Sequence, residues 1–177
     1  MNTRHSQLPQ IFLTAVAEII ELEGGYVLNP ADPGGETKFG ISKRQYPNLD
    51  IRSLTYDAAV DIYWRDYWLA LRVQEMLPDA FAVFLFDSAV NHGPKQAIIF
   101  MQRGLGVRGD GVIGPKTLSA ASTHEIGDRL AVMLSYRADF YAFLVSKKPN
   151  QITFRRGWFK RLFRLQQFIF KHQLIED

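Results

Sequence analysis

A chain of 177 residues, 47% of them hydrophobic, is long enough for one sizeable domain or two small lobes and too apolar to be mainly disordered. The absence of cysteine excludes disulfides, thiolate nucleophiles and cysteine-held zinc. His5, His92, His124 and His172 are scattered without ligand spacing, so neither a metal nor another cofactor is expected.

From the N-terminus, Ile11, Phe12, Ala15, Val16, Ile19, Ile20 and Leu22 recur at helical spacing. They predict a helix ending at Glu23, because Gly24 and Gly25 accept the left-handed backbone of a helix cap. Tyr26, Val27 and Leu28 favour extended structure. Asp32-Pro33-Gly34-Gly35 then places Pro where a type II turn needs a fixed φ and Gly where it needs a positive one. Phe39 and Ile41 supply the return strand. The expected product is one small β-hairpin carrying Asp32, Glu36 and Thr37, directly after a helix that ends in a carboxylate.

Cleaving a glycosidic bond takes a proton on the leaving oxygen and a second group that guides water or stabilises the oxocarbenium-like centre, work usually shared by two carboxyl groups. The donor must stay protonated near neutral pH, which apolar surroundings favour. Glu23, between Leu22 and Tyr26, is the candidate donor, and Asp32, on a solvated turn, the candidate helper. Plainer readings stand beside these. An Asp before Pro commonly starts a turn, Thr37 suits a strand through its branched Cβ, and Glu36 reads as a solvated hairpin position.

Beyond the hairpin the chain reads as almost wholly helical. Ser42 with Gln45 resembles a short capping box ended by Pro47, and Thr55 caps a helix through Ala58, Ile62, Trp64 and Trp68. A helix opened by Leu77-Pro78-Asp79 closes at Asn91-His92-Gly93, and Pro94 starts the next. Glycines 104 to 111 mark a looped region, Gly114-Pro115 begins a short helix, residues 126 to 145 form a long one, and Pro149 precedes a last helix from about 153 to 174. Tyr63, Trp64, Tyr67 and Trp68 either pack in the core or line a glycan cleft. Asp87 and Asn91 share a helix face and either hydrogen-bond a substrate or pair locally. Between Ser146 and Lys171 stand eight basic residues and no acidic one, while Trp158, Leu162, Leu165 and Ile169 repeat on an inward face. With pI near 9.2, that stripe suits nucleic acid, anionic lipid or wall polymer alike, or is a solvated face with no specific partner.

Glu23-Gly24-Gly25-Tyr26, followed by Asp32-Pro33-Gly34-Gly35, Thr37 and Gly40-Ile41, resembles the N-terminal signature of glycoside hydrolase family 108, the N-acetylmuramidases of phages and bacterial secretion systems. Asp87 through Gly93, Gln102, Leu105-Gly106 and Asp110 through Thr117 are similar to the predicted peptidoglycan-binding domain that accompanies them. The resemblance covers nearly the whole chain. It implies a mainly α, lysozyme-like (α+β) fold whose one small hairpin carries part of the active site. It also implies a hydrolase lobe over 1–92 and a helical peptidoglycan-binding-like lobe over 93–177, packed as one unit.

By the same resemblance Glu23 is the catalytic acid that cleaves the β-1,4 bond between N-acetylmuramic acid and N-acetylglucosamine. The phage lysozymes, with a Glu, an Asp and a Thr around one hairpin, are similar in spacing to Glu23, Asp32 and Thr37. One departure is Leu28-Asn29, where the family often carries a polar pair. Tyr26, Tyr63, Trp64, Asp87 and Asn91 are the candidate substrate contacts. A non-catalytic wall-binding module and a basic helical nucleic-acid binder are the other classes; the intact Glu in an ordered signature favours the hydrolase, with glycan strands as partner and no nucleic acid. Glu18 interrupts the N-terminal apolar run, no cleavage site follows, and no stretch of about eighteen uncharged apolar residues exists. The expectation is a protein without leader or membrane insertion, made in the cytoplasm and acting in the periplasm or wall after export by a holin or a secretion system.

Overall fold

The computed structural model describes residues 5–28, 35–71, 77–122 and 125–175. It is mainly helical, with α1 (Gln10–Glu23), α2 (Tyr56–Tyr63), α3 (Asp79–His92), α4 (Pro94–Gly104), α5 (Pro115–Ala121), α6 (Ile126–Lys147) and α7 (Arg155–Lys171). One antiparallel sheet, in the order β1-β2-β3, joins β1 (Val27–Leu28), β2 (Glu36–Lys38) and β3 (Ile41–Ser42). This is the mainly α class with a small sheet near the N-terminus that the sequence predicts. The chain packs into two compact units, Met1–Ala70 and Leu71–Asp177.

In the first unit α1 buries Phe12, Ala15, Val16, Ile19 and Ile20, the face set by its periodicity. It stops after Glu23 as predicted. Gly24 turns to φ +78° and donates its N–H to the Ile20 carbonyl at 3.1 Å. The hairpin differs from expectation. Glu36, Thr37 and Lys38 form the return strand, with Thr37 opposite Val27, and a third strand follows with Ser42 opposite Thr37. Phe39 and Gly40 are the two-residue turn between β2 and β3, with φ +54° and +77°, because such tight hairpins need positive φ at both central residues. Phe39 is therefore a turn residue and not a strand residue. Its left-handed backbone costs about 1–2 kcal/mol; Tyr56 meets the ring edge-on at 6.3 Å and the Lys38 ammonium lies 5.4 Å from its centroid. The predicted turn at Asp32-Pro33-Gly34-Gly35 falls outside the described residues, apart from Gly35.

Ser42 and Gln45 form hydrogen bonds of capping-box type, Gln45 N–H to Ser42 Oγ at 3.3 Å, yet no helix follows. Ser42 already ends β3, and only a turn is built there. Thr55 does cap α2, its Oγ1 accepting from Ala58 N–H at 3.2 Å. The expected single helix through Trp68 changes at Trp64 into a π-helical segment, Trp64–Leu69. Trp64 and Trp68 then close on Phe12 of α1, with ring centroids 4.9 and 5.3 Å away.

In the second unit every residue of α3 from Ala80 to Ala89 is buried, so this helix is wrapped on all sides, chiefly by α4, α6 and α7. Gly93 at φ +83° ends it and Pro94 opens α4, as predicted. Gln102, 1% exposed, pins the following loop to α4: its Nε2 donates to Asp110 Oδ1 at 2.8 Å and the Val112 carbonyl at 2.9 Å, and its Oε1 accepts from Gly111 N–H at 2.9 Å. A six-residue 3₁₀ segment, Pro149–Phe154, precedes α7, which is shorter than the predicted helix at both ends. Leu162, Leu165 and Ile169 are buried on its inward face, as expected.

His92 lies among the rings of Phe100, Phe140 and Tyr141, each centroid within 5.6 Å. Burial, then the Arg137 charge, lowers its pKa to about 3. The unfolded chain therefore binds a proton near pH 6.5 that the folded chain refuses until about pH 3, so folding stability falls as the pH is lowered through this window. His92→Leu is expected to flatten that acid limb, measured as melting temperature between pH 7 and 4. An unchanged slope would remove His92 as its source.

Candidate active site

Glu23 is the last residue of α1 and sits half-buried where the β2–β3 turn crosses the helix end. Three contacts fix that crossing. Phe39 N–H donates to the Gly24 carbonyl at 3.2 Å, the Tyr63 hydroxyl donates to the Phe39 carbonyl at 2.8 Å, and Gly40 fills the space between Tyr63 and Glu23. A Cβ on Gly40 would stand 2.5 Å from Tyr63 Oη and 2.8 Å from Glu23 Cγ, far inside the separation of about 3.5–4.0 Å at which carbon atoms rest. The turn is thus a backstop for the Glu23 side chain, and any residue larger than glycine would force Tyr63 or Glu23 to move.

Tyr67, 5.6 Å from the Tyr63 ring, extends the same wall. Burial, then the charges of Asp66 and Glu23, push its phenol up against the lowering effect of a hydrogen bond from Gln45, which places Tyr67 within electrostatic reach of Glu23. On the strand side Tyr26 is 37% exposed, and its hydroxyl donates to Glu36 Oε1 at 2.9 Å. Glu36 is therefore occupied in holding Tyr26. Thr37 lies in the middle strand, two residues before the turn.

The other candidate substrate contacts are engaged within the protein. Tyr63 is 1% exposed, so it braces the turn and presents no ring face to a sugar. Trp64 packs on Phe12. Asp87 and Asn91 belong to the second unit, where the arrangement is local pairing, not an open binding surface. Arg137, with no exposed surface, donates to Asp87 Oδ2 at 2.6 Å, to Ser88 Oγ at 3.1 Å and to the Tyr141 hydroxyl at 3.1 Å. Arg161 donates to Asp87 Oδ1 at 3.2 Å. With its amide oxygen turned toward the guanidinium groups, Asn91 accepts from Arg137 at 2.9 Å and from Arg161 at 3.3 Å. Burial alone would push the Asp87 carboxyl up, but the two arginines outweigh it and hold the group below the usual range. Arg161 is thus one basic residue of the C-terminal stripe that faces inward. Asp32 lies outside the described residues.

The profile of the family described as glycosyl hydrolase 108 matches residues 16–93, and that of the predicted peptidoglycan domain matches residues 96–163. A solved structure, SagA of Brucella abortus, is similar over 88% of this chain and 91% of its own, with 30% identity and a TM-score of 0.69. The chain belongs to glycosyl hydrolase family 108. No curated protein matches it. The family 108 match contains Glu23, Tyr26, Thr37, Gly40 and Tyr63, that is, the whole arrangement around the end of α1. With the second domain it makes this family 108 enzyme a glycoside hydrolase of peptidoglycan, acting at the cell wall. In the sequence Gly40 stands only as part of the Gly40-Ile41 motif, and Arg137 belongs to no motif. The signal for Arg137 was a lone arginine on the apolar stripe Leu130, Met133, Leu134, Tyr141 of α6.

Proposed function

We propose that the enzyme is an N-acetylmuramidase in which Glu23 is the general acid. The observation that carries this reading is the packing of the Glu23 side chain against Gly40, where a Cβ would displace Glu23 or Tyr63, within the family 108 segment. Glu23 gives its proton to the bridging oxygen between N-acetylmuramic acid and N-acetylglucosamine as the bond from that oxygen to the muramyl anomeric carbon breaks. Asp32, with Thr37, orients the attacking water or stabilises the positive charge developing on the ring. Tyr26, exposed beside the strands, is the surface available to a sugar ring. Residues 1–92 supply hydrolysis and 93–177 hold the wall.

The substrate lies beyond the inner membrane, and no described helix is long and apolar enough to cross one. By the family resemblance the same reading assigns export to a holin or a secretion system and the physiological role to wall lysis, as by a prophage endolysin. Clearing of wall suspensions tests the chemistry: native protein clears them, Glu23→Gln does not, and Asp32→Asn and Thr37→Ala are slowed. Equal clearing by Glu23→Gln would sink the assignment. Expression with and without a co-expressed holin tests export, lysis being expected only with it.

A further inference from the structure

A groove of about 430 Å³ opens between α4 and α6 in the second unit, and no role has been given to it. Its volume falls in the range of roughly 300–1,000 Å³ typical of small-ligand sites. One wall is aromatic. Phe140 and Phe143 stack at 5.8 Å with planes 26° apart, and Phe143 remains 50% exposed with the Lys147 ammonium 5.6 Å from its centroid. The other wall is Arg103, whose guanidinium lies 5.8 Å from the Tyr136 ring. Gln96 and Asp139 add an amide and a carboxylate to the lining.

That combination has a definite chemical meaning. Flat apolar rings accept the CH faces of a pyranose, an amide and a carboxylate hydrogen-bond hydroxyl and acetamido groups, and a guanidinium attracts a carboxylate. An acylated amino sugar that carries a carboxylate presents all three. Among the sugars of the wall polymer this describes the muramyl residue, whose lactyl arm ends in a carboxylate or in a peptide that bears one. Every lining residue falls within residues 96–163, the predicted peptidoglycan domain. The geometry points to this groove as a muramyl-binding subsite separate from the end of α1, with Phe143 as the stacking platform and Arg103 as the carboxylate partner. The inference rests on peptidoglycan being the polymer that the enzyme attacks.

The test is made in the Glu23→Gln protein, so that binding is read without the proposed acid. Retention on purified sacculi and titration with a soluble disaccharide-peptide muropeptide are compared with titration by a chitooligosaccharide, which lacks the carboxylate. Phe143→Ala and Arg103→Gln are each expected to weaken muropeptide binding about three- to tenfold, and Arg103→Gln to erase the preference over the chitooligosaccharide. Melting temperatures verify that both variants are folded. Unchanged affinity in both folded variants would overturn the proposal, as would equal affinity of the parent for the two ligands. Concentration-dependent dimerisation lost in Phe143→Ala would overturn it too, since a second copy would then occupy the groove. These failures would leave hydrolysis by Glu23 standing. Conversely, full activity of Glu23→Gln on sacculi would overturn the acid and leave the subsite intact.

Discussion

Gly40→Ala is expected to lower wall hydrolysis about a hundredfold while the protein stays folded. The added methyl meets Tyr63 Oη at 2.5 Å and Glu23 Cγ at 2.8 Å, so one of the two side chains must move. Tyr63 is buried and tied to the Phe39 carbonyl, whereas Glu23 is half-buried at a helix end, so Glu23 yields. Displacing a catalytic group by about 1 Å can cost about 10²-fold in rate. An alanine at φ +77° adds about 1–2 kcal/mol of backbone strain, which a domain of ordinary stability tolerates. Tyr63→Phe should act more mildly. It leaves the methyl-free space intact and removes the hydrogen bond to Phe39, a loss of about 1 kcal/mol. Rates on wall suspensions with parallel melting curves check both variants. Native-like rates in Gly40→Ala would show that the turn does not position Glu23.

Arg137→Met is expected to destabilise the second unit by about 3–5 kcal/mol, because it strips a buried carboxylate of its main partner and leaves Ser88 and Tyr141 without their donor. Against a total stability of about 5–15 kcal/mol that is a large fraction. The sign with pH follows from Asp87. Its folded pKa is depressed, so its stabilising effect is complete above the unfolded value of about 3.9 and is lost as the pH falls through the lower folded value. Arg137→Met should abolish this acid-side loss. Asp87→Asn combined with Arg137→Met should cost less than the sum of the single changes, since the lone buried charge is gone. Urea unfolding measures each term, and strict additivity would show that the two side chains are not coupled.

The helices were legible because their signals are local. Apolar spacing, Gly24, Gly93, Pro94 and the Thr55 cap marked their ends within a residue or two. Phe39 misled because its ring favours a strand, while a two-residue connection to Ile41 forces it into the left-handed region. The π-helical turn at Trp64 was equally hidden, being decided by how Trp64 and Trp68 close on Phe12 rather than by any run of residues. At the site, Glu23 could be found from a motif at a helix end. The bracing roles of Gly40 and Tyr63 could not, since they depend on a contact between residues distant in sequence. Asp87 and Asn91 share one helix face, and the sequence leaves open whether they meet substrate or pair locally. Arg137, fifty residues away, decided it.

Sacculi digested by native protein and by Glu23→Gln, followed by borohydride reduction of the new chain ends, give the most direct measurement of the proposed chemistry. Native protein should yield muropeptides that end in reduced muramic acid. The amide variant, unchanged in melting temperature and still bound to the sacculi, should release them about 10²–10⁴-fold more slowly. Release at the native rate by Glu23→Gln, or ends that carry reduced glucosamine in place of muramic acid, would contradict Glu23 as the acid of a muramidase.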